Sequence, residues 1–127
     1  MRLLLDTHTF LWSITSRQLS PAADAAFLDA DNDLFLSVAS YWEICIKLGL
    51  GKLSLPDDWQ QVIERAMTVN AIDWLPIEPR HCREVIALPR HHRDPFDRLL
   101  VAQARLEGLT LLSADPNFGG YDVPVVW

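Results

Sequence analysis

The chain has 127 residues, half of them hydrophobic, with a mean hydropathy of +0.07, a formal net charge of -6 and a pI near 5.0. That length fits one compact domain over 1–127, able to bury roughly two-thirds of its unfolded surface. No run approaches the ~18 apolar residues of a membrane span, Asp6 interrupts the first apolar run too early for a secretory signal, and the acidic balance excludes a nonspecific nucleic-acid coat.

Leu3–Leu5 read as a short buried strand, followed by a helical stretch around Thr9–Thr15. Ser20 and Pro21 have the types expected at the N-cap and first position of a second helix. "DLFLSV" is a second apolar strand. "SYWEICIKLGLGKL" is an amphipathic helix closed by Gly49 and Gly51. "PDDWQQVIERAMTVN" gives another helix, "IDWLPI" a third strand, and Pro79 opens a short helix that must stop before Pro89. "DPFDRLLVAQARLEGL" is the clearest helix, with Gly108 as its stop, and "LTLLS" and "VPVVW" supply two further strands. Apolar strands separated by helices predict βαβ units, hence an α/β fold: a three-layer α/β/α sandwich around a parallel sheet of about four to five strands. Cys45 and Cys82 fit no CxxC pattern, which suits a reducing cytoplasm.

Four acids stand out, and each has a structural explanation. Asp6 can cap the helix behind it. Glu43 follows Ser40 as in a capping box and precedes Lys47 as in a helix ion pair. Asp94, Pro95 and Asp97 have the types of an N-cap, a first-position proline and an acid against the helix dipole. Asp115-Pro116 makes a turn. Their joint placement suggests more. Asp6 and Asp115 follow the first and fourth strands, and Glu43 follows the second. Asp97 opens the helix leading into the fourth. Ligands of open parallel sheets bind beyond the C-terminal strand ends. Carboxylates gathered there repel one another unless a cation joins them, and hard oxygen donors select Mg²⁺ or Mn²⁺. Such a site suits phosphodiester hydrolysis.

"LLLDTHTFLW", "SVASYWEICIKLGLGKL", "RHHRDPFDRLLVAQARLEGLTLLSADPNF" and "YDVPVVW" together resemble the PIN-domain family, within it the VapC-like toxins of bacterial toxin–antitoxin pairs. The resemblance runs nearly end to end, with motif order and spacing kept. It implies a Mg²⁺-dependent single-strand endoribonuclease, with Mn²⁺ as substitute. Asp6, Glu43, Asp97 and Asp115 match the family's metal-binding acids. Thr7 matches a hydroxyl that often follows the first acid, and Ser113 one that orients water or a carboxylate. The resemblance also implies a cognate antitoxin that obstructs the acids and a homodimer. Asp94 is read here as an N-cap, with a ligand role as the alternative. His92 can touch the scissile phosphate or bond locally. Arg90, Arg93 and Arg98 flank the expected site and are either phosphate contacts or partners in intrachain pairs. Such local cations let an acidic protein hold RNA.

Two other classes remain. One is a noncatalytic binding module on the same fold. The other is another Mg²⁺-dependent phosphate-ester enzyme or a receiver domain. The phosphatase needs an Asp where His8 stands, and the receiver needs a late lysine, whereas the chain has only Lys47 and Lys52.

Overall fold

A computed structural model describes residues 1–15 and 19–127. In chain order the elements are β1 (Arg2–Leu5), α1 (Thr7–Ile14), α2 (Pro21–Leu28), β2 (Asp33–Ser37), α3 (Val38–Gly49), α4 (Trp59–Val69), β3 (Ile72–Leu75), α5 (Pro79–Ala87), α6 (Pro95–Glu107), β4 (Thr110–Leu112) and β5 (Val125–Val126). A 3₁₀ turn, Pro116–Gly120, joins the last two strands. The sheet is wholly parallel, in the order β3-β2-β1-β4-β5.

Strand alternation divides the core between the two faces. Leu3, Leu5, Leu34, Leu36 and Leu112 lie in one cluster, with Phe10 of α1, Phe27 of α2, Ile44 of α3 and Ile63 of α4. Leu4 and Leu111 lie in the other, with Leu100, Val101 and Ala104 of α6. The three-layer α/β/α expectation is met, with five strands. Among the described residues no helix is long and apolar enough to cross a membrane.

The order of strands locates the site. From β1 the chain runs through β2 to β3 on one side, then returns to β4 and β5 on the other. The strand order therefore reverses between β1 and β4, the place where a crevice opens beyond the C-terminal ends of parallel strands. Asp6 and Ser113 leave the sheet at that point. The Asp6 amide bonds the Leu112 carbonyl at 3.1 Å, and the Ser113 amide bonds the Val126 carbonyl at 3.1 Å.

Two helix starts differ from the sequence expectation. α1 begins at Thr7 rather than Thr9, because β1 passes into it through Asp6 alone. α3 begins at Val38, with Ser37 as its N-cap and the Ser37 hydroxyl accepting from the Ala39 amide at 3.1 Å. Ser40 is thus one turn inside the helix, and the Ser40–Glu43 capping box is not formed. The physical reason is that Ser37 ends β2 and caps α3 at once, leaving no loop between them.

Candidate active site

Asp6 occupies the N-cap position of α1 in an extended conformation, yet its side chain makes no cap hydrogen bond. Its Oδ2 accepts from the Ser113 hydroxyl at 2.8 Å. Ser113 in turn accepts from the Asp115 amide at 3.1 Å, so one buried hydroxyl ties the ends of β1 and β4 together. Burial pushes the Asp6 carboxyl up from its ordinary value, against the Ser113 hydrogen bond and the His8 charge, and Glu43 adds to the rise. The helix-cap explanation of Asp6 fails on this geometry.

Glu43 projects from α3 and is 4 % exposed. Lys47, one turn on, reaches it at 2.8 Å, as the i,i+4 spacing predicts. That hydrogen bond chiefly holds the Lys47 ammonium above its usual pKa, helped by the charges of Asp94 and Asp97. Glu43 is therefore both a structural ion-pair partner and a buried acid at the crevice.

Asp97 lies at the third position of α6, behind Pro95. It is raised from 3.8 to about 7, first by burial, then by the charges of Asp94, Asp6 and Glu43, with His92 opposing. Asp94 caps the helix, its Oδ1 accepting from the Phe96 amide at 2.8 Å. Asp115 begins the 3₁₀ turn, Oδ1 accepting from the Asn117 amide at 2.9 Å. Its Oδ2 meets His92 Nε2 at 2.7 Å. Burial raises Asp115, but the hydrogen bonds of His92 and Asn117 and the charges of His92 and His8 outweigh it, and the net direction is down. Ligand atoms of His92, Asp97 and Asp115 all lie within 4.8 Å of one another.

The remaining candidates divide. Thr7 is 2 % exposed and donates to the Ser40 hydroxyl at 2.8 Å, bracing α1 on α3 rather than facing a ligand. Arg98 is buried, and its guanidinium donates to the carbonyls of Pro89 at 2.9 Å, Val85 at 2.9 Å and Leu88 at 3.4 Å. It thus closes the C-terminal end of α5, which takes the intrachain alternative of the sequence reading. Arg90 and Arg93 are exposed and border a cavity of about 400 Å³ beside His92. A second cavity of about 340 Å³ joins Arg93 and Asp94 to Glu43, Lys47 and Phe96.

Tyr121 escaped the sequence reading, and Ser40 entered it only as a capping-box partner of Glu43. Ser40 is bonded by Thr7 across α1 and α3, and Tyr121 places its hydroxyl 3.0 Å from His92 Nδ1. No local pattern marks either, because their partners lie 33 and 29 residues away.

Carboxylates at the switch point of a parallel three-layer sheet define a class of protein: an α/β domain with an acidic crevice lined by side chains of metal-ligating types. The chain belongs to the PIN domain family, whose model matches residues 3–123. Solved structures of the same fold include VapBC2 from Rickettsia felis bound to a DNA fragment from their promoter, with TM-score 0.76 and 14% identity over 98% of this chain and 97% of that chain. VapBC-5, a toxin–antitoxin system member from Mycobacterium tuberculosis, matches with TM-score 0.60 and 20% identity, covering 98% of this chain and 96% of that one. FitAcB from Neisseria gonorrhoeae matches with TM-score 0.59 and 22% identity, covering 97% and 95%. No curated protein matches the chain at a significant level.

Proposed function

We propose that this protein is a divalent-metal-dependent endoribonuclease acting as the toxin of a toxin–antitoxin pair in the cytoplasm. The observation that carries the reading is the gathering of carboxylates at the crevice: Asp97 and Asp115 share a 4.8 Å cluster with His92, and burial together with the charges of Asp94, Asp6 and Glu43 pushes Asp97 up to about 7. Unlike a solvated helix-cap acid, Asp97 meets several negative charges at a crevice where, among the described residues, Lys47 on Glu43 and His92 on Asp115 are the cationic-type partners. A bound cation relieves that repulsion, and carboxylate oxygen donors fit Mg²⁺, with Mn²⁺ as a substitute. Asp6, Glu43, Asp97 and Asp115 would hold the ion. When bound, such an ion supplies charge stabilisation for phosphodiester hydrolysis. The chain's own contribution is to orient and balance charge: Ser113 fixes the Asp6 carboxylate, Lys47 partly balances Glu43, and the exposed Arg90 and Arg93 stand ready for substrate phosphates. Thr7 and Arg98 drop out of the substrate-contact set because their polar atoms are already engaged.

Several of the similar structures are toxin–antitoxin complexes, which supports an antitoxin partner here. A cavity of about 430 Å³ is lined by His8, Leu11, Trp12, Leu53 and Lys47, the last of which pairs with Glu43. Homodimerisation is supported by exposed apolar residues along α3 and at its C-cap: Val38, Trp42 and Leu50 are 40%, 58% and 64% exposed.

The test is cleavage of a mixed pool of labelled tRNA and rRNA fragments with Mg²⁺, Mn²⁺ or EDTA, beside Asp6→Asn. Discrete metal-dependent cuts that vanish in the variant are expected. Cuts that persist would mean a contaminating RNase. Absence of both cutting and metal binding would overturn the reading.

A further inference from the structure

Two histidines stand side by side before α6, and the ion-holding scheme needs neither. His91 and His92 both pack on the segment between β4 and β5. The His91 ring meets Tyr121 edge-on at 4.9 Å between centroids. It also lies so close to Gly120 that a Cβ there would approach its Cδ2 and Nε2 at 2.9 Å. His92 stacks on Tyr121, 5.5 Å between centroids and 12° between planes, and tilts against Phe118 at 4.6 Å. The side chain of His92 is 6% exposed. This pair docks the stretch carrying Asp94 and Asp97 onto the stretch carrying Asp115.

The polar contacts of His92 are equally specific. An ionised carboxylate only accepts, so the 2.7 Å contact with Asp115 Oδ2 requires the proton on Nε2. In the neutral ring Nδ1 then accepts from the Tyr121 hydroxyl, 3.0 Å away, a contact that favours the same tautomer. Asp115 consequently receives one N–H on each oxygen, from His92 and from Asn117. These two bonds fix the plane of the carboxylate and leave a further lone pair on each oxygen.

We propose that His92, backed by Tyr121, is a positioning residue that sets the Asp115 carboxylate for the ion held by the acidic crevice. It acts through Asp115 and does not ligate the ion. The inference rests on the reading of Asp115 as one of the ion-holding acids. Hydrogen-bonded partners behind a ligand commonly change metal affinity or activity about 10–100-fold.

Mn²⁺ affinity measured by calorimetry, alongside kcat and KM for RNA cleavage, tests this in wild type, His92→Phe, His92→Gln and Tyr121→Phe. Phenylalanine keeps the ring packing and removes the donor, so affinity should fall roughly 10–100-fold. Glutamine restores an N–H near the Nε2 position and should recover most of the loss. Tyr121→Phe should weaken binding less than His92→Phe. Because a variant may unfold, wild-type protein carries its own test. Nitrogen-15 NMR of the ion-free form should show the Nε2–H tautomer, and electron spin-echo spectra of bound Mn²⁺ should lack directly coordinated nitrogen. Unchanged affinity in folded His92→Phe, failure of glutamine to rescue, the opposite tautomer, or nitrogen bound to Mn²⁺ would each overturn the proposal while leaving the nuclease reading intact. Failure of wild type to bind Mn²⁺ at all would overturn both.

Discussion

The protein carries two clusters of histidine and carboxylate that differ in how their charge is balanced. In the first, Glu78, His81 and Glu107 bring ligand-type atoms within 4.8 Å, as His92, Asp97 and Asp115 do in the second. His81 is fully buried, with Nδ1 accepting from the Glu78 amide at 3.0 Å and Nε2 on Glu107 at 2.8 Å. Arg80 also bonds Glu107. Every strong donor there has its acceptor, and Glu107 is held below its ordinary pKa, chiefly by the His81 hydrogen bond. At the crevice, burial and neighbouring acids instead drive Asp97 upward. Histidine and carboxylate thus form a closed structural staple at one end of α6 and a pocket of unbalanced negative charge at the other. That imbalance, more than proximity, is what favours the crevice over the staple as the proposed ion site.

The sharpest way to break this comparison is to remove an acid from the crevice. Asp97→Asn should abolish metal-dependent cleavage, with a loss exceeding the roughly 10–100-fold typical of removing a supporting partner. The substitution should also raise the stability of the ion-free protein, because it deletes a repelled charge, as thermal unfolding in EDTA would register. An ion-free protein no more stable than wild type would contradict the charge-imbalance account.

His81→Ala should behave in the opposite manner. It leaves Glu107 and the Glu78 amide short of a partner and should cost about 1–3 kcal/mol of stability by denaturant titration. Mn²⁺ affinity should not change. A weakened Mn²⁺ isotherm in this variant would show that the two ends of α6 are coupled.

The pH dependence separates the clusters without mutation. Asp97 has a folded pKa near 7 against an ordinary 3.8, so the folded state binds its proton more tightly. Its contribution is greatest below about 4 and is lost as pH rises toward 7. Glu107 is shifted down from 4.5, so its contribution is present above that value and lost on acidification. Ion-free stability should therefore pass through a maximum on the acid side of neutrality. Mn²⁺ should stabilise more at pH 8 than at pH 5, where it must displace a proton from Asp97. Equal metal-induced shifts at both pH values would remove Asp97 from the ligand set.

The smallest effect concerns Lys47, the cation that partly balances the crevice. Lys47→Gln should tighten Mn²⁺ binding less than tenfold, since a partly exposed ion pair is worth about 1 kcal/mol or less. Calorimetry beside wild type would measure it, and weaker binding would mean that Lys47 orients Glu43 more than it competes with the ion.

Much of this was legible along the chain. Local patterning marked β1 through its consecutive leucines, and the Ser20-Pro21, Asp94-Pro95 and Gly108 signals marked helix ends that the structure contains. Capping and periodicity are short-range effects, decided by residues within a turn of each other. The i,i+4 pairing of Glu43 with Lys47 was legible for the same reason. Where a single residue serves two elements, as Ser37 does, local reading displaced the boundary, because the cap belongs as much to the strand as to the helix.

The identity and order of the four acids were written in the sequence, and with them the family to which the chain belongs. Their environment was not. Whether Arg98 faces substrate or three backbone carbonyls, whether Thr7 meets a ligand or Ser40, and whether His92 is solvated or wedged between Asp115 and Tyr121 depended on contacts across 9 to 33 residues. Burial and charge are properties of assembled surroundings. Only the closing of β4 beside β1 brought Ser113 to Asp6 and gave the acidic crevice its electrostatic character.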